Sequence, residues 1–109
     1  MNRTKRVRLE AKSWRVGSTA EFLRLSPQEA ALVETRLTLS RTLRERRTAR
    51  GLTQAQLARR LNSSQSRVAK MEGGDKSVSV DLLLKALFSL GATPKDVGRA
   101  LERRVRTAA

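Results

Sequence analysis

Gln65, Ser66, Arg67 and Lys70 fall in one six-residue stretch whose polar groups match the edges of nucleic-acid bases. A Gln amide offers a donor and an acceptor side by side, as adenine requires. Lys and Arg donate to the two acceptors of guanine, and Ser serves either. Ala69 between them can touch a thymine methyl. Wound as a helix, the stretch turns Val68 and Met71 to one side. Ser66, Ala69 and Lys70 lie opposite, flanked by Gln65 and Arg67. Upstream, Thr53 and Gln54 stand at a helix start, where free backbone amides and the helix dipole favour a phosphate. Ser64 opens the next helix and joins them as a phosphate-contacting candidate, as does Arg50. Arg41, Arg44, Arg46 and Arg50 have two readings: phosphate contacts, or an exposed solubilising face.

Catalytic chemistry finds no support. Cysteine, histidine and tyrosine are absent, which removes disulfides, Cys/His zinc sites and thiol or imidazole catalysis. The ten acids are scattered, and Gly73-Gly74 lacks the Lys-Ser/Thr that completes a phosphate loop. No cofactor, metal or small-molecule substrate is expected. Lys and Arg number 24 against those ten acids, a net charge of +14. Such an excess repels itself in a compact chain, and a polyanion partner relieves it. No apolar run approaches the roughly 18 residues of a spanning helix. The basic N-terminus is followed by no apolar stretch of a secretory signal, so a cytoplasmic protein is expected.

The elements that would position these residues are helical. Leu, Ala and Val dominate the apolar content and aromatics are few, which suits a small helical core. Ser26-Pro27-Gln28-Glu29 combines a cap, a first-turn Pro and a capping box. The helix it opens should run to about Arg50, with Leu32, Val33, Leu37, Leu39 and Leu43 as apolar positions, and stop at Gly51. Thr53 with Gln56 opens a two-turn helix ending near Leu61, and Asn62 suits a turn with positive φ. Ser64 caps a helix from Gln65 to about Glu72. Ser79 caps another through Leu90, closed by Gly91, and Thr93-Pro94 opens the last. That last helix carries Val97, Leu101 and Val105, with Arg103, Arg104 and Arg106 near its end. Leu57, Ala58 and Leu61 on one helix face Val68 and Met71 on the next, and the small Ala58 allows a close, steep crossing. These are the marks of a helix-turn-helix from Gln54 to about Glu72.

The organisation is a basic N-terminal extension, residues 1–25, ahead of a bundle over 26–106. Met1–Val16 carries six Lys or Arg and one acid. Its readings are a disordered tail, a phosphate-binding arm or a partner-binding segment, with a short extended stretch near Trp14. Ser18 and Glu21 form a capping box for a short helix bearing Phe22 and Leu23. Trp14 and Phe22 either pack on their own domain or anchor a partner. Helix four, Leu82 to Leu90, is apolar on nearly every side, so a second subunit can bury one flank.

Residues Leu39–Leu101 resemble the Cro/C1-type helix-turn-helix of the XRE family. The resemblance is carried by Arg47, Gly51-Leu52-Thr53-Gln54, Leu57-Ala58, Ser64-Gln65-Ser66, Val68 and Met71-Glu72. It implies an all-α, five-helix bundle like that of lambda repressor, a homodimer, an inverted-repeat operator in double-stranded DNA, and a partly buried Arg47–Glu72 ion pair. Asn62 replaces the usual turn Gly. Val78 stands where many members have Pro, which leaves that loop less fixed. Leu9–Gly17 and Ser63–Glu72 further resemble the HigA-like branch. That likeness implies an antitoxin that neutralises a RelE/HigB-type toxin and represses its own operon. The alternative is a stand-alone XRE-type regulator with no toxin partner.

Overall fold

The computed structural model describes residues 25–108, with side chains to Arg103. Its described residues form five helices and no strand: α1 Pro27–Ala49, α2 Gln54–Arg60, α3 Gln65–Glu72, α4 Val80–Ser89 and α5 Pro94–Ala108. The expected short helix at Ser18–Leu23, the segment near Trp14, and both Trp14 and Phe22 lie outside the described residues. The chain divides into two compact units between Glu34 and Thr35.

In the first unit, the described residues show how α1 begins. The Glu29 amide donates to Ser26 Oγ at 3.1 Å and the Ser26 amide to Glu29 Oε1 at 2.9 Å. This reciprocal box satisfies two amides that a helix start leaves without partners. Leu32, expected among the apolar positions, is instead exposed.

The second unit holds the helix-turn-helix. Its core is a continuous apolar cluster including Leu39 and Leu43 of α1, Leu57 and Ala58 of α2, Val68 and Met71 of α3, and Leu83, Ala86 and Leu87 of α4. Leu90, Ala92 and Val97 extend it into the start of α5. Leu39 and Leu43 lie one turn apart, so they share a face of α1. Leu37 is about 200° round from Leu39 and leaves that stripe; it is exposed, and its Cδ2 lies over Gly74.

A shared device ends the first four helices. The amides of Leu52, Ser63, Asp75 and Ala92 reach back to the carbonyls of Arg47, Ala58, Lys70 and Leu87. Each is the long bond of a Schellman cap, with Gly51, Asn62, Gly74 or Gly91 at the left-handed position. Asn62 has φ 57° and is the one non-glycine residue there among those described. Asn tolerates that region better than other side-chain-bearing residues. Gly74 is required twice over: its φ is 73°, and an added Cβ would stand 2.7 Å from Leu37 Cδ2.

Capping sets the helix starts. Thr53 and Gln56 form a full box for α2, Ser64 accepts from the Arg67 amide for α3, and Ser79 accepts from the Leu82 amide for α4. For α5 the Thr93 amide donates to Asp96 Oδ2 and the Asp96 amide to Thr93 Oγ1. The loop before α4 is better fixed than the lack of Pro at Val78 suggested. The Ser77 amide donates to Asp75 Oδ1 at 2.8 Å, the Val78 amide to the Asp75 carbonyl at 3.0 Å, and the Val78 side chain is buried.

Candidate nucleic-acid interface

Four residues, 61–64, join α2 to α3. The Schellman cap at Asn62 turns the chain sharply, and Ser64 restarts it as an N-cap. Val68 and Met71 are buried against Leu57 and Ala58, which leaves Gln65, Ser66, Arg67, Ala69 and Lys70 exposed on the rest of α3. The burial divides α3 along the line its sequence marks.

Behind this surface lies an ion pair. Arg47 of α1 grips the Glu72 carboxylate with two nitrogens: Nε to Oε2, and Nη2 to Oε1 at 3.0 Å. Its third donor, Nη1, reaches the Leu52 carbonyl at 2.7 Å. The Glu72 side chain is only 3% exposed and that of Arg47 12%. The hydrogen bond to Glu72 raises the already high Arg47 pKa, with burial opposing and the charge of Glu72 adding. The guanidinium thus stays charged at every accessible pH.

The pair sets the direction of a hydrogen-bond chain that ends on the α3 surface. Gln54 Nε2 donates to Glu72 Oε1 at 3.1 Å, and Gln65 Nε2 donates to Gln54 Oε1 at 3.0 Å. A carboxylate held by Arg is an acceptor only, so Gln54 must turn its NH2 toward Glu72. Its carbonyl oxygen then faces Gln65, which must answer with its own NH2. Gln65 is left with one N–H and its carbonyl oxygen, the donor–acceptor couple that adenine accepts.

Ser64 Oγ also stands 3.3 Å from Ser66 Oγ. These two serines, Arg67, Lys70, Ser77 and Val78 line a polar hollow of about 200 Å³ beside the start of α3. Ser77 was not foreseen; the signal for it was Asp75 two residues earlier, an Asx-turn spacing. Thr53 and Gln54 sit together at the start of α2, where Thr53 is engaged as cap and Gln54 in the chain above. Arg50 is set apart from these groups. It lines a different hollow, beside Gly91 and the first turns of α5.

Among the described residues no group of three or more acids is placed to hold a metal ion, and no helix is long and apolar enough to cross a membrane.

Two short helices at a tight turn, the second carrying an exposed polar face, define a helix-turn-helix protein. Residues 38–100 match the helix-turn-helix domain family, and the chain belongs to that family. No match emerges among curated proteins or among solved structures. The family and the basic charge make the chain a DNA-binding regulator.

Proposed function

We propose that this protein is a sequence-specific transcriptional repressor that binds an inverted-repeat operator as a homodimer. Gln65, Ser66, Arg67 and Lys70 read base edges, while Thr53, Gln54 and Ser64 meet phosphates. The observation that carries this reading is the directed chain Arg47–Glu72–Gln54–Gln65. It presents a pre-oriented amide at the exposed start of α3, and pre-orientation reduces the ordering cost of a contact. Two-fold symmetry would place the two α3 helices in successive major grooves, with half-sites about one helical turn, roughly 10 bp, apart.

Footprinting on the DNA upstream of its own gene tests this reading, and protection of two inverted half-sites is expected. Gln65→Ala should cost about 1–3 kcal/mol at one operator position and little at the others. An equal loss on operator and random DNA would remove Gln65 from base reading.

The finer role assigned is that of an antitoxin. It rests on the likeness of Leu9–Gly17 and Ser63–Glu72 to the HigA-like branch. Co-expression with the product of the adjacent reading frame should yield a stable complex; a chain that purifies alone would be a stand-alone regulator. No catalytic role is assigned.

A further inference from the structure

The face of α1 next to the one that holds Glu72 carries a second, separate feature. Arg46 precedes Arg47, so it points about 100° away around the helix, and Arg50 stands one turn further on the same side as Arg46. Both line a groove of about 460 Å³ between the C-terminal half of α1 and the start of α5. Its floor is apolar, made by Ala49, Leu87, Ala92, Val97 and Ala100. Its rim carries Arg46, Arg50, Arg99 and Arg103 against two carboxylates, Glu45 and Asp96.

The rim cations are arranged rather than scattered. Asp96 accepts from Arg46 Nη2 at 3.5 Å and from Arg99 Nη2 at 2.9 Å, and so holds the two guanidiniums on either side of itself. Each keeps further N–H groups for another acceptor. The Arg50 backbone amide bonds to the Arg46 and Arg47 carbonyls, but its guanidinium has no ion-pair or hydrogen-bond partner among the described residues. Its guanidinium lies over Gly91 at the end of α4, with Nη2 only 2.7 Å from where a Cβ would stand. Any side chain at position 91 would displace it.

We propose that this groove binds an acidic protein segment, with a carboxylate between Arg46 and Arg50 and an apolar side chain on the floor beneath. Charge complementarity selects the occupant. No two of this chain's ten acids are adjacent in sequence, so a second copy has no acidic segment to offer the groove. A DNA backbone would meet cations, but it has no apolar group for the floor. A carboxylate beside an aliphatic side chain satisfies both rim and floor, and guanidinium–carboxylate bonds are among the strong ones. The groove shares no residue with the hollow beside α3, so such a partner can be held without the base-reading face.

The test uses a short fluorescein-labelled peptide of glutamates around a single leucine, with two comparison peptides: glutamines for the glutamates, and alanine for the leucine. The full chain, Arg50→Glu and a charge-matched control, Arg41→Glu on an exposed part of α1, are titrated with each. The Glu/Leu peptide should bind the wild type and Arg41→Glu alike, and Arg50→Glu about tenfold more weakly. Both comparison peptides should bind more weakly than the first. Amide shifts should move at Ala49, Ala92, Val97 and Ala100 and stay still on α3. Equal losses in the two variants would reduce the binding to general charge and overturn the proposal, as would shifts confined to α3 or absent altogether. Random duplex DNA is titrated in parallel. If Arg50→Glu weakens DNA about tenfold more than Arg41→Glu does, the groove is a DNA contact and the proposal falls. None of these readings needs an operator, so a failure to find one leaves the groove test intact.

Discussion

Glu72 closes α3, yet its side chain is 3% exposed and its charge is paired with a single guanidinium. Removing the guanidinium would leave the carboxylate with the Gln54 amide alone and almost no access to water, and breaking such a pair costs about 3–5 kcal/mol. Arg47→Ala should therefore lower stability by that order, read as a drop in the denaturant midpoint. An unchanged midpoint would mean that Glu72 finds water or another donor. The companion variant, Glu72→Gln, separates stability from recognition. It keeps the side-chain volume but no longer forces Gln54 to offer its NH2. Gln54 can then turn either way, and so can Gln65 beyond it. Base preference at the Gln65 position should weaken even where the variant folds. If preference holds, the chain's direction is set elsewhere.

The elements owe their boundaries to short-range chemistry, and much of that chemistry was legible in the sequence. Ser26, Thr53, Ser64, Ser79 and Thr93 mark the starts, and Gly51, Asn62 and Gly91 mark the ends. What escaped notice was the carboxylate half of the α5 box. Asp96 accepts from the Thr93 amide first, then from Arg99 and the Thr93 hydroxyl, and these bonds hold its carboxyl below the ordinary range. Asp75 is lowered likewise, chiefly by its bonds to Ser77. A carboxyl lowered on folding adds stability that is complete above its unfolded pKa of about 3.9. That stability disappears as pH falls through the lower folded value. The thermal midpoint should hold from neutral pH to near the unfolded value and drop below it. Asp96→Asn should start from a lower midpoint at neutral pH and fall less steeply in acid; parallel curves would refute the assignment. Tertiary facts were less legible. The apolar positions of α1 include Leu32 and Leu37 as well as Leu39 and Leu43, but helix periodicity assigns no partner to a face. Leu37 covers Gly74 from outside the core, and only the arrival of the α3–α4 loop there makes that position useful. The Gln65–Gln54 bond joins residues 11 apart on different helices, so no local pattern announces it.

For the molecule as a whole, charge and recognition are separable, and salt divides them. A net charge of +14 draws any polyanion, and affinity won by releasing counterions falls steeply as salt rises, with a log–log slope near −0.9 per phosphate contact on duplex DNA. This component carries no sequence information. The neutral amide of Gln65 releases no counterion, so its share of the discrimination should ignore salt. Operator and random-DNA affinities, measured at low and at physiological salt, should therefore both decline. The factor by which Gln65→Ala lowers their ratio should be the same at both concentrations, about tenfold or more. The Arg67→Ala or Lys70→Ala effect, carried by a charge, should shrink as salt rises. A Gln65 effect that shrinks along with theirs would mean that Gln65 acts by positioning a cation. Base reading would then pass to Arg67 and Lys70, and the hydrogen-bond chain from Arg47 would serve only to hold α2 against α3.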